Sequence, residues 1–150
     1  MGMFYICEFE FFDDGEGSVA AFCLNGWGGA TFGDDLADAG ESAADWLAGM
    51  VDDYLMSGRE LPPIEIGHEP THGGKVVAVA VSRELSDIPA MTAADAARAL
   101  GVSTARVSQL VFAGLLDSWR DGTRRMVSKA SVEARLEDAP KAGRPKAAMV

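Results

Sequence analysis

The stretch "GDDLADAGESAADWLAGMVDDYLMSG" (Gly33–Gly58) decides the fold, because within it the apolar spacing changes from every second residue to every third or fourth. Leu36, Ala39, Ala43, Trp46, Leu47, Met50 and Tyr54 form one stripe of a helix expected from about Asp35 to Met56. Asp38, Glu41, Asp45 and Asp52 then fall on the opposite face. Asp34 and Asp35 lie at the first turn, where a carboxylate complements the helix dipole and Asp34 can cap. Gly58 supplies the stop.

Working outward, the residues before this helix have the period of strands. "MFYICEFEFF" (Met3–Phe12) is aromatic and β-branched, with Tyr5, Cys7, Phe9 and Phe11 on one side. Asp13–Gly17 is a turn, "SVAAFCL" a second strand of the hairpin, and a short third strand lies around Ala30–Phe32. The intervening "NGWGG" neither opens a helix nor has the spacing of a phosphate-binding loop, so it reads as a turn. After the helix, "KVVAVAVS" (Lys75–Ser82) is expected to be a buried strand from its Val content. The order βββαβ predicts a small α+β layer, closed by the polar, Pro-containing connection "RELSDIPA".

The second half reads differently. In "MTAADAARALGVSTARVSQLVFAGLL" (Met91–Leu116), Thr92 caps a first helix, Gly101 turns the chain, and Ser103 or Thr104 opens a second helix. Ala96, Ala97, Leu100, Val102, Val107 and Leu110 occupy the positions where the helices of a helix-turn-helix cross. "LLDSWRDGTRRMVS" follows as a hairpin around Asp121-Gly122, and "KASVEARL" as a closing helix. The expected division is 1–89, 90–137 and a disordered basic tail, 138–150, in which Lys141, Arg144 and Lys146 can add phosphate contacts.

Charge follows the same division. Residues 1–89 hold 17 acidic against three basic residues, and residues 90–150 hold ten basic against six acidic, for a net charge of -10 overall. A basic half suits a polyanion; an acidic half suits a basic protein. The sequence has no run of 18 or more apolar residues and no basic flank leading into an apolar stretch. Neither a membrane span nor a secretory signal is therefore expected, and the expected location is cytoplasmic. Cys7 and Cys23 lie inside strand-like runs, as small core residues rather than ligands or a disulfide.

One string invites a metal. "HEPTH" (His68–His72) matches H-E-x-x-H, yet two His residues four apart share an ion only on a helix. Pro70 and the flanking Gly67, Gly73 and Gly74 prevent that, so the segment is expected to be a loop without metal or cofactor. The acids cluster in turns and along one helix face, with Glu8 and Glu10 alone on a strand, and no catalytic set emerges from them.

In the second half, Arg120, Arg124 and Arg125 flank the hairpin turn, where phosphate contact would fix docking register. On the second helix Val107, Leu110 and Val111 face inward, leaving Ala105, Ser108, Gln109 and Phe112 outward, with Thr104 and Arg106 on the flanks. Arg106 and Gln109 are suited to guanine and adenine edges.

Two resemblances follow from these residues. "YICEFEFFDDGEGSVAAFCL", "NGWGGATFGDDLADAGESAADWLAGMVDDYLMSGRELPPIE" and "VVAVAVS" resemble the HicB-type antitoxin domain over residues 3 to about 82. "MTAADAARALGVSTARVSQLVFAGLL" with "RRMVSKASVEARL" is similar to the excisionase/MerR-like winged helix-turn-helix. The first implies a partial RNase H-like fold without catalytic acids that covers a small basic HicA-like toxin, an mRNA endoribonuclease. The second implies autoregulation by binding operator DNA; because one short recognition helix reads few base pairs, a homo-oligomer, dimer or higher, that pairs half-sites is expected. The expected sites are Asp34, Asp35, Asp38, Glu41, Asp45 and Asp52 for the toxin, and Thr104, Arg106, Ser108, Gln109, Arg120, Arg124 and Arg125 for DNA. The competing expectation is a transcription regulator whose acidic domain senses a ligand or dimerises.

Overall fold

The computed structural model describes residues 2–148, with side chains described to residue 138. The chain is mixed α+β, with four α-helices and two antiparallel sheets among the described residues, and divides into two compact units, Met1–Leu85 and Ser86–Val150. The first unit thus ends four residues before the boundary expected from the sequence.

In the first unit β1 (Met3–Asp13), β2 (Val19–Cys23), β3 (Ala30–Gly33), α1 (Leu36–Ser57) and β4 (Lys75–Arg83) form a sheet of order β3-β2-β1-β4 with one helix. Alternation along β1 sends Tyr5, Cys7, Phe9 and Phe11 to the α1 side, where they are buried with Ala21, Cys23, Ala39, Ala43, Leu47 and Val51. The turn after β2 brings Trp27 onto this core, its indole N–H donating to the Tyr54 hydroxyl at 3.1 Å and its ring edge-on to Trp46. Cys7 and Cys23 are buried free thiols with Sγ atoms 3.4 Å apart.

Asp35 rather than Asp34 caps α1, accepting from the Asp38 N–H at 2.8 Å, and Gly58 ends the helix at φ 69°. Leu36, assigned above to the apolar stripe, is 63% exposed; the stripe that packs is Ala39, Ala43, Leu47 and Val51. Small residues win there because β3 lies close. A Cβ on Gly33 would run into the Ala39 backbone nitrogen, so only Gly lets the strand approach. Gly33→Ala is therefore expected to destabilise this unit by about 2 kcal/mol or more, measured by chemical denaturation against the unsubstituted chain.

The largest correction concerns β4. It is not a buried strand: it lies at the sheet edge, none of its residues is buried, and Val77 is 45% exposed. Val content reports β-propensity, which says nothing of position within the sheet. β4 pairs antiparallel with β1 throughout, from Met3↔Arg83 to Phe11↔Lys75. That direction has a structural cause. α1 carries the chain along one face of the sheet, and residues 58–74, without regular structure, carry it back before β4 begins.

The second unit holds β5 (Ala90–Thr92), α2 (Ala93–Leu100), α3 (Thr104–Phe112), β6 (Ser118–Asp121), β7 (Arg124–Ser128) and α4 (Lys129–Ala148). Thr92 and Ser103 cap the two short helices, accepting from the N–H groups of Asp95 and Arg106, and Gly101 turns between them at φ 69°. Ala96, Ala97, Val107, Leu110, Leu116, Val127 and Val132 form the core. β5, which the sequence reading missed, adds a third strand to the hairpin in the order β5-β7-β6. α4 runs to Ala148, through the segment where a disordered tail was expected. The suggested phosphate contacts of Lys141, Arg144 and Lys146 lie outside the described side chains. No helix among the described residues is long and apolar enough to cross a membrane.

Candidate functional site

Two features of the first unit bear on function. Along α1, Asp34, Asp35, Asp38, Glu41 and Asp45 are exposed. Asp35 and Asp38 are engaged at the helix start: Asp35 caps the helix, and the Asp38 carboxylate accepts from the Asp34 N–H at 2.8 Å. Asp52 stands apart from the other acids, held bidentately by Arg83 at 2.8 and 2.9 Å and half-buried. Of these acids, Asp34, Glu41 and Asp45 are exposed and their carboxylates lie outside both the helix cap and the Arg83 pair.

The second feature was not anticipated. On the sheet face opposite α1, Glu8 is 8% exposed and Glu10 wholly buried. Residues 67–74 wrap over them. Glu8 Oε1 accepts from the backbone N–H of Gly67 and of His68, both at 2.9 Å, and lies 2.6 Å from His68 Nδ1. Glu10 Oε1 accepts from the Thr71 N–H at 2.8 Å, while Oε2 accepts from the N–H groups of His72 and Gly74 at 2.8 and 2.9 Å. The His72 ring stacks on Phe12 with centroids 4.3 Å apart.

HEPTH is thus a loop, and its backbone supplies the donors that make a buried carboxylate tolerable. Burial pushes the Glu10 carboxyl up, but the N–H groups of Thr71, Gly74 and His72 outweigh it and hold the pKa at about 2. The His68 N–H does most to lower Glu8 below the ordinary carboxylate range, working against burial. Among the described residues no group of three or more His, Cys, Asp or Glu side chains is placed to hold a metal. The sequence did carry one signal of this arrangement: two acids at alternate positions of an otherwise apolar strand need partners if that face is covered.

In the second unit α3 presents Ala105, Ser108, Gln109 and Phe112 outward and buries Val107 and Leu110. Thr104 and Arg106 are exposed on its flanks, and the Arg106 guanidinium donates to the Gln109 carbonyl oxygen at 3.1 Å. Strand alternation separates the hairpin arginines. Arg120 pairs across with Arg125, and Arg124 with Asp121, so Arg124 points away from the other two. Arg125 is half-buried, donating to the Ser118 hydroxyl at 3.0 Å. It joins Ser108, Gln109, Val111 and Phe112 around an open groove of about 420 Å³. The structure thus gathers Ser108, Gln109 and Arg125 about one groove, ties Arg106 to Gln109 and Arg120 to the Thr123 carbonyl, and leaves Arg124 beside an acid.

Comparison with protein-family models, with curated proteins and with solved structures finds no match to this chain.

Proposed function

We propose that this chain is a type II antitoxin: its acidic unit neutralises a small basic mRNA endoribonuclease of the HicA kind, and its basic unit represses their shared operon. The observation that carries this reading is the division of charge between two separately folded units. Met1–Leu85 holds 16 acidic and three basic residues, and Ser86–Val150 holds seven acidic and ten basic. An acidic surface can occlude the RNA-binding face of a basic protein, while a basic unit meets DNA phosphates.

The finer architecture fits the same reading. A four-stranded sheet with one covering helix supports a HicB-like, partial RNase H-like unit, although β4 runs antiparallel to β1 as an edge strand. The α2–turn–α3 pair followed by the β6–β7 hairpin supports a winged helix-turn-helix. The acids of β1 argue against an enzyme. Both oxygens of Glu10 and one of Glu8 already accept from the loop, so they are committed to structure rather than to holding reactive metal ions. Leu36, exposed among the acids at the start of α1, offers the kind of apolar anchor that a charged rim alone lacks. Reading paired half-sites calls for a homodimer or higher oligomer.

Growth tests the reading. The adjacent gene is expected to encode a small basic protein whose expression arrests growth, and co-expression of this chain is expected to restore it. A harmless neighbour, or arrest that persists, would reject the antitoxin function and favour a plain transcription regulator.

A further inference from the structure

Phe112 is the last residue of α3, and its ring is 96% exposed. Residues 105, 108, 109 and 112 fall on one helical stripe, so the ring stands at the C-terminal end of the surface that also carries Ser108 and Gln109. It is part of the groove wall, opposite the half-buried Arg125. α3 contains no acidic residue, and Arg106 adds a further cation at its flank. The groove that the ring walls is mostly apolar, with the Arg125 guanidinium, Ser108 and Gln109 at hand and no acid on α3. It suits a polyanion that offers an apolar group among hydrogen-bonding edges. The major groove of DNA offers one such group, the C5-methyl of thymine, which Phe side chains contact directly.

We infer that Phe112 is a specificity-determining residue, and that the groove between Phe112 and Arg125 receives a thymine methyl while Arg125 holds the adjoining phosphate. This rests on the DNA-binding reading of the second unit. It adds a base preference that Arg106 and Gln109 do not supply.

The full chain is used to select duplexes from a random-sequence DNA pool, and each thymine of the selected duplex is then replaced in turn by deoxyuridine, which lacks only the methyl. Removing one particular methyl is expected to weaken binding by about three- to fivefold, the scale of one buried methyl group. Phe112→Ala is expected to bind the thymine duplex as weakly as the deoxyuridine one and to be indifferent to the replacement. Because the ring is exposed, the variant should unfold at the same temperature as the unsubstituted chain. Enrichment of a duplex with no methyl dependence would overturn the role of Phe112 alone. A Phe112→Ala chain that keeps its DNA preference but changes oligomeric state would overturn it in favour of a protein contact. Failure to enrich any duplex would overturn the DNA-binding reading itself.

Discussion

Glu10→Gln is expected to be among the most damaging single substitutions in the first unit. The carboxylate is wholly buried and both of its oxygens accept backbone N–H groups from the loop. An amide keeps one acceptor oxygen but turns an NH2 group toward a donor, so even in the better orientation the Thr71 N–H loses its partner and faces another donor. A fall in melting temperature of roughly 5–15 °C is expected for a unit of this size, followed by the fluorescence of Trp27 and Trp46. Glu8→Gln should follow the same direction less strongly, since the shared oxygen is Oε1 alone.

The same carboxylates set a pH dependence. The folded pKa of Glu10, about 2, lies below the ordinary value of 4.5, so its stabilisation is complete above pH 4.5 and is lost as pH falls toward 2. Glu8 is shifted the same way. The unsubstituted chain should therefore lose stability across that acid window, and the gap between it and Glu10→Gln should narrow. A gap that stays constant from pH 6 to pH 2.5 would show that the carboxylate charge does not hold the loop.

Arg125→Ala is expected to weaken DNA binding roughly tenfold or more, the scale of a lost charge-assisted hydrogen bond, and to reduce the salt dependence by about one phosphate contact. Arg124→Ala should cost much less. The two residues are neighbours in sequence, but Arg125 lines the groove beside α3 whereas Arg124 pairs across with Asp121 on the other face of the hairpin. Electrophoretic mobility shifts of selected duplexes at two salt concentrations distinguish them. Equal losses for both variants would mean that docking does not use the α3 side of the hairpin.

The difference between Arg124 and Arg125 was open to reading, because adjacent strand residues point to opposite faces. Other parts were legible outright. The change of period within 33–58 and the capped helices around Gly101 depend on neighbours three or four apart, and local spacing carries that information. The edge position of β4 does not. It depends on which strand pairs with β1, and the return path of residues 58–74 decides that pairing. The Glu8 and Glu10 cradle was hidden for the same reason: its donors lie about sixty residues away along the chain. HEPTH drew attention as a metal string through its side chains, yet its backbone N–H groups do most of the binding. Leu36 was misplaced because an apolar stripe predicts a packed face without saying how close β3 comes, and Gly33 brings it close enough to favour alanine.

The central claim is that the acidic unit silences a ribonuclease. The adjacent gene is expected to encode a small basic protein, and the most direct measurement is RNA cleavage by that purified product, followed as the full chain is added. Cleavage is predicted to stop near equimolar addition and to resume when Glu41→Lys and Asp45→Lys are combined in the added chain. Cleavage that continues undiminished with the unsubstituted chain in excess would contradict the account.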